Sequence, residues 1–460
     1  MTAVLLAGCG TRLSQQAIVA AARKPIVNQA LQQSAGGATS TGVAATSAAA
    51  EGPSVSGSSS NSASGSSTSP AAGAVSSHST SGASSAGPAP GAAQGAGSTI
   101  SLGNVGSYSG VIGAVFAGAE PALGVWQDYV NAHGGLNGHP VHIYFADDGG
   151  DPSTSVSEVE QEVTQDHVIA FVGNFYPLTV NASAPYLLQQ NIPVIGGDSN
   201  ANEWWQSPVL FPQGSGALNP SIEAEFTIGA AVARGYNKMA VLYCVEDPGC
   251  ATTVSAFEKP GSAVDGATTV YSSSISLTQP DFTAQCVDAK QSGATFVYFA
   301  GDSDSLNRMV GDCVAQGYNP IYDIDSLAVT SDLTSDPHLD GLLAGQSDFP
   351  WVDSFTPAQT TYQQAMKTYA PSLQGSASTA AEWTAGMLVV AADKDITSTP
   401  TSAEFFEGLW SIKDDNLGGL APPLTFTQNA PATPSYCFFL MTIQNQQFVD
   451  LNNGNSQCVS

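Results

Sequence analysis

The sequence predicts an α/β protein in which parallel sheets are covered by helices, with enough chain after residue 99 for two cores. Three observations carry that expectation. Short apolar runs alternate with segments whose apolar residues recur every three or four positions. That alternation is the pattern of a parallel sheet wrapped by its crossover helices. Before residue 99 neither pattern is present, so the folded part is the remainder of the 460-residue chain.

The expected strands fall at 100–105, 141–145, 169–172, 193–195, 239–243, 268–271, 295–299 and 341–344. Between the first two, Leu123, Trp126 and Val130 lie at i, i+3 and i+7, a helical stripe ended by Gly134-Gly135. A second helix runs from about 357 through Tyr362, Ala365 and Tyr369 and stops near Pro371. A third spans about 379–392 and carries Trp383, Met387 and Val390.

Composition excludes several partners. Eleven Lys and Arg face 38 Asp and Glu, a formal net charge of -27. A nucleic-acid backbone or an anionic lipid surface would repel such a chain. No apolar run approaches the ~18–20 residues of a transmembrane helix. The scarcity of Lys and Arg also points to an acidic habitat, where protonated carboxyls relieve self-repulsion.

The first 98 residues divide in two. Residues 1–24 hold Arg12, Arg23, Lys24 and a short apolar stretch ending in Leu6-Ala7-Gly8-Cys9. From 25 to 98 the only Asp, Glu, Lys or Arg is Glu51, and 34–98 is almost entirely Ser, Ala, Gly, Thr and Pro. Such chain buries too little apolar surface to offset its ordering entropy, so 25–98 reads as a disordered linker. About 65 residues of it would reach roughly 40–48 Å r.m.s..

Of seven cysteines, Cys9 stands alone and six lie in the folded part. Neighbouring residues pair as Cys244–Cys250, Cys286–Cys313 and Cys437–Cys458, one of fifteen connectivities that six cysteines allow. An even, dispersed set beside a Ser-rich spacer indicates an oxidising compartment. Leu-Ala-Gly-Cys resembles a bacterial lipobox, which makes Cys9 the lipidated residue. The apolar stretch before it is shorter than the ~7–15 residues of a signal-peptide core, so the start codon is expected upstream of Met1.

The search for chemistry is mostly negative. No H-E-x-x-H, G-x-S-x-G or Walker-type loop is present, and Gly106-Ser107-Tyr108-Ser109-Gly110 places Tyr at its centre. His133, His139 and His142 crowd one turn and strand; surface histidines explain them better than a metal pair. Asp147-Asp148-Gly149-Gly150-Asp151 lacks the remainder of a calcium loop and reads as a turn opening a helix at Pro152. Asp302/Asp304 and Asp323/Asp325 are expected just after strands, as solvated loop acids. No cofactor, metal or catalytic residue is expected.

Motif order adds a resemblance. Asn131-Ala132-His133-Gly134-Gly135-Leu136-Asn137-Gly138, then a strand, then Asp147-Asp148-Gly149-Gly150-Asp151-Pro152-Ser153, resembles the first-domain signature of type I periplasmic binding proteins of the leucine/isoleucine/valine-binding kind. The segment 100–110 is similar to that family's first strand and Ser-Gly loop. Phe171-Val172-Gly173 and Asn191-Ile192-Pro193-Val194-Ile195 are similar to its next strands, and Gly418-Gly419-Leu420-Ala421-Pro422-Pro423-Leu424-Thr425-Phe426 to the segment before its last crossover.

The resemblance implies a two-lobe fold with a three-segment hinge. Lobe one would hold 99–225 and 348–428, lobe two 226–347 and 429–460, with ligand in the cleft between them. Open α/β sheets bind ligand at the carboxyl ends of their strands, so strand ends nominate the site residues. These are Tyr108, Ser109, Tyr176, Thr179, Asp198 and Ser199 in lobe one, and Glu246, Asp302, Asp325 and Ser326 in lobe two. Asn174, Asn200, Asp247 and Ser303 share those loops.

In the family, the loops matching 174–179 and 198–200 hold an amino acid's carboxylate and amine, and an acid near Asp325 or Ser326 completes the amine site. This chain departs from that pattern at Tyr176-Pro177-Leu178-Thr179 and at Asp198. The extra acid disfavours a ligand carboxylate and favours a cationic or polyol ligand. Tyr108 and Tyr176 are expected on the cleft wall, Trp204 and Trp205 equally there or in the core, and Arg308 facing out.

The function implied is an extracytoplasmic, lipid-anchored receptor that captures a small polar solute, an amino acid, amide or related compound, for an ABC-type permease. A ligand-sensing module of the same fold is the alternative, and a secreted hydrolase using paired carboxylates a more distant one.

Overall fold

The computed structural model describes residues 97–216, 220–255, 257–259, 261–264 and 266–458. All of them lie in one compact unit. Cys9 and the linker up to residue 96 lie outside the described residues.

The first sheet contains β1 (Ile100–Gly106), β2 (Val141–Asp147), β3 (Ala170–Asn174), β4 (Val194–Gly197) and β5 (Leu210–Phe211). Its order is β2-β1-β3-β4-β5 and every pairing is parallel. Parallel strands need crossovers, and helices α1 (Ala119–Ala132), α2 (Pro152–Thr164) and α3 (Val180–Gln190) supply them. Asp151 starts α2 by accepting the Thr154 N–H at 2.8 Å, with Pro152 at the first helical position.

The second sheet is built from β6 (Lys238–Cys244), β7 (Ala263–Val264), β8 (Ala267–Ile275), β9 (Phe296–Ala300), β10 (Ile321–Ile324), β11 (Leu343–Gln346), β14 (Cys437–Gln444), β15 (Gln447–Asp450) and β16 (Gln457–Cys458). Its interior, β11-β10-β9-β6-β8, is parallel. Its flanks are antiparallel: β7 on β8, and β14 between β11 and β15. The flank at β14 and β15 departs from the parallel interior because the C-terminal chain returns as a hairpin. Asn445 and Gln446 both take positive φ, 52° and 58°, the two-residue turn whose twist suits a hairpin.

Helix α4 (Pro220–Ala233) packs on the second sheet, so the expected lobe boundary at 225/226 falls inside one helix. Helices α5 (Pro248–Val254), α6 (Thr283–Gln291) and α7 (Ser303–Ala315) complete that lobe. After β11 the chain returns to the first sheet as α8 (Pro357–Tyr369), α9 (Ala377–Ala392) and α10 (Ser402–Ser411). Capping boxes open all three, through Thr356/Gln359, Ser376/Thr379 and Thr401/Glu404. Helix α9 is apolar nearly all round and is buried, as such helices are. At its middle Gly386 admits the Trp126 ring, whose Cγ lies 2.4 Å from where a Cβ would stand. A small pair, β12 (Lys413–Asp415) and β13 (Leu424–Thr425), completes the strands.

Three crossings join the lobes: the chain after β5, after β11 and before β14. Gln213 exchanges two 2.9 Å hydrogen bonds with the Gly197 backbone and donates to Asp348 at 3.3 Å. The Ser215 N–H reaches the Ser347 carbonyl at 3.4 Å and its hydroxyl donates to the Cys437 carbonyl. The crossings are therefore tied side by side. All three neighbouring cysteine pairs are disulfides, and all lie in the second lobe.

Candidate functional site

The chain leaves each sheet's strands toward the same cavity. It has a volume of about 270 Å³ and is lined from both lobes. The first lobe contributes Ile112, Val115, Phe116, Pro177, Leu178, Asn181 and the run Asn200, Ala201, Asn202, Glu203. The second contributes Asp247, Gly249 and the Cys244–Cys250 disulfide, then Leu277, Gly301, Asp302, Asp325, Leu327 and Ala328. Leu327 packs with Ile112, Phe116 and Phe175, so the lobes also touch through apolar side chains.

In the second lobe the loops after β6, β9 and β10 are short, and each places an aspartate at the start of the helix or helical turn that follows. The Asp247 carboxylate accepts the Gly249 N–H at 2.7 Å, capping α5. Asp302 accepts the Ser305 N–H at 2.7 Å and the Ser305 hydroxyl at 2.9 Å, capping α7. Asp325 accepts the Leu327 N–H at 3.3 Å, capping the short turn Ser326–Ala328. Burial raises the pKa of Asp247, against the pull of the Gly249 N–H. Burial pushes Asp325 up to about 6; the Leu327 N–H opposes this and the nearby Asp247 charge adds to it.

In the first lobe the polar groups turn into their own loops. Asp148 is buried and accepts the Ser107 hydroxyl at 2.7 Å, the Gly150 N–H at 2.8 Å and the Thr179 hydroxyl at 2.5 Å. Asp147 accepts the N–H groups of Tyr108, Ser109 and Gly149 at 2.9–3.1 Å. Asp198, also buried, accepts the Tyr176 N–H at 3.0 Å and the Asn200 N–H at 2.8 Å. Burial pushes Asp198 to about 7 despite those two bonds, with Asp247 of the other lobe adding to the rise.

Of the ten nominated residues, Asp302 and Asp325 line the cavity. Tyr176 lies in the core, fully buried and edge-on to Trp204 with centroids 6.3 Å apart, rather than on the wall. Tyr108 folds back over Gly106, and its hydroxyl donates to Asn104 at 2.6 Å. Ser109 is exposed, and Thr179 is engaged with Asp148. Ser199 and Ser326 are buried; the Ser199 carbonyl accepts from the Trp205 indole at 3.3 Å, and that of Ser326 from Gln346 at 3.0 Å. Glu246 accepts the Ser276 hydroxyl at 2.5 Å and the Leu277 N–H at 3.1 Å; these outweigh its partial burial and hold its pKa below the usual range.

Trp204 and Trp205 are core residues. Asp323 is not a loop acid: it lies inside β10, buried, and accepts from the Thr227 hydroxyl. Arg308 is exposed and donates to the Leu277 carbonyl at 2.6 Å and the Ser305 hydroxyl at 2.8 Å. The three histidines are engaged separately: His133 with the Tyr129 carbonyl, His139 with the Ser98 carbonyl, His142 against the Tyr144 ring. Among the described residues no group of three or more His, Cys, Asp or Glu is arranged to hold a metal ion.

Sequence reasoning missed Ile112, Val115, Asn181, Asn202, Glu203, Leu277, Leu327 and Ala328. They sit one helical turn or one loop beyond the strand ends. For Asn181, Asn202, Glu203, Leu327 and Ala328 the signal that could have found them is the start of the following helix or helical turn.

A family model described as periplasmic binding protein matches residues 99–447. An amino acid binding protein of Pseudomonas aeruginosa is 25% identical over 209 residues, 45% of this chain and 54% of that one, so the match spans about half the relative's length. A branched-chain amino acid ABC transporter protein of Thermus thermophilus, solved with bound valine, superposes with a TM-score of 0.66 at 14% identity, covering 79% of this chain and 97% of its own. A fatty acid ABC transporter substrate-binding protein from Thermomonospora curvata gives 0.63 at 16% identity, covering 78% and 91%. Those identities speak for the fold, while the family match over most of the chain speaks for descent: the chain belongs to the periplasmic binding protein family, with the two-lobe type I fold of a solute-binding receptor.

Proposed function

We propose that this chain is the receptor of an ABC-type uptake system, capturing a small solute between its lobes and delivering it to a membrane permease. The observation that supports this reading best is the cavity itself, furnished from both lobes and bridged by three tied crossings. A cavity of about 270 Å³ suits a metabolite rather than a polymer, lying just below the ~300–1,000 Å³ of drug-sized pockets. Closure about the crossings would bury the solute on both sides.

The described residues include no helix long and apolar enough to cross a membrane. A lipid on Cys9, with the Ser-rich linker as tether, would keep the receptor near its permease. We read the chain as a binding protein rather than an enzyme, because Asp247, Asp302 and Asp325 at the cavity are each placed as caps of the turn or helix that follows.

A thermal-shift screen of the full chain against amino acids, amides, polyamines, sugars and small acids tests the reading. A true ligand at ~100 times its dissociation constant adds about 2.7 kcal/mol of stability. The expected result is one chemical class of hits, recovered unchanged after incubation. No hit, or a hit consumed by the protein, would contradict it.

A further inference from the structure

We infer that the solute is a protonated amine with an apolar portion and no free carboxylate. The inference rests on the receptor reading above and names its ligand class. Every ionisable side chain lining the cavity is acidic: Glu203 from the first lobe, Asp247, Asp302 and Asp325 from the second. Among the described residues no Lys, Arg or His lines it. Arg308, beside these loops, spends its guanidinium on the Leu277 carbonyl and the Ser305 hydroxyl.

In the second lobe the places where an anion would bind are already filled by the protein. A helix start, with its unpaired N–H groups and positive end, is the usual seat for a carboxylate. Each helix start of the second lobe that opens on this cavity holds one of the chain's own aspartates, on Gly249, Ser305 and Leu327. The first lobe's hydroxyls are no substitute. Thr179 donates to Asp148, and Ser199 is buried and off the lining. Asp198 lies buried two residues from Asn200, which is on the lining, so a solute carboxylate there would meet further like charge.

A cation meets the opposite situation. Asp247 and Asp325 each use one oxygen for the cap, and the other carries no hydrogen bond among the described residues. The cation is organic, since apolar side chains of both lobes line the cavity beside the acids. Its apolar part has a bed in Ile112, Val115, Phe116 and Leu178, faced by Leu277 and Leu327.

Titrating the full chain at pH 7.5 with leucine, its carboxylate-free analogue 3-methylbutylamine and its amine-free analogue 4-methylpentanoate, beside phenethylamine, putrescine and spermidine, decides the matter. At least one amine is expected to bind tenfold or more tighter than leucine, and 4-methylpentanoate not at all. Asp247→Asn and Asp325→Asn should each weaken that amine at least tenfold, while the folded state survives because asparagine caps helices as well as aspartate does. Binding of leucine or 4-methylpentanoate with silence from every amine would overturn the inference and leave the receptor reading standing. Amine binding untouched by both substitutions would overturn it too, and silence from every probe and from the wider panel would count against both readings.

Discussion

Aspartates follow parallel strands in both lobes, yet they do different work. In the second lobe two or three residues separate Ala300 from Ser303 and Cys244 from Pro248, so the acid is at once strand end, helix cap and cavity wall. In the first lobe the loops after β1, β3 and β4 are longer, and the acids fold inward to pin them. Loop length thus decides whether a strand-end carboxylate is scaffold or surface. The first lobe gives the cavity its apolar bed and amides, the second most of its charge.

The largest expected effect concerns acids buried in the first lobe and where the chain returns to it. Burial raises Glu162 to about 9, Asp353 to about 8 and Asp198 and Asp348 to about 7. An unfolded carboxyl loses its proton near pH 4. Between that point and the folded pKa the native state holds more protons than the unfolded one, so stability falls as pH rises. Acids such as Asp147 and Glu246, whose pKa values are lowered, act in the opposite direction and only at more acid pH. Melting temperature should therefore peak below pH 6 and fall steadily toward pH 9, as the scarcity of Lys and Arg led us to expect. A maximum at or above pH 7 would refute it.

Next come paired substitutions that separate scaffold from surface. Asp148→Ala strands three donors in the first lobe and should cost about 3 kcal/mol or more. Asp302→Ala removes a cap from the second and should cost only about 1 kcal/mol. Equal losses in denaturant melts would erase the distinction between the lobes. The smallest effect is Leu178→Ala on the half-buried apolar wall. It should weaken solute binding about fourfold, the equivalent of roughly one buried methylene, and leave stability nearly unchanged.

Much of the fold was legible because buried parallel strands are short apolar runs and their helices carry capping signals, as at Asp151-Pro152 and Thr356-Pro357. β14 was overlooked although Cys437–Gln444 is a nearly continuous apolar run, because attention to alternating crossovers leaves a returning hairpin unread. The cavity's loops were legible and most of its side chains were not. Along Asn174 to Thr179, backbone direction alone sends Tyr176 under Asp198 and leaves Pro177 and Leu178 on the wall. Asp302 and Asp325 were found because a cap one or two residues after a strand has nowhere else to point.

The central claim is that one solute is held by both walls together. Backbone hydrogen exchange of the full chain, with and without the best ligand of the screen, tests it directly. The account predicts slowed exchange in 177–181 and 200–203 of the first lobe together with 245–250, 301–303 and 325–328 of the second. Protection confined to one lobe, or lying away from these loops, would contradict it.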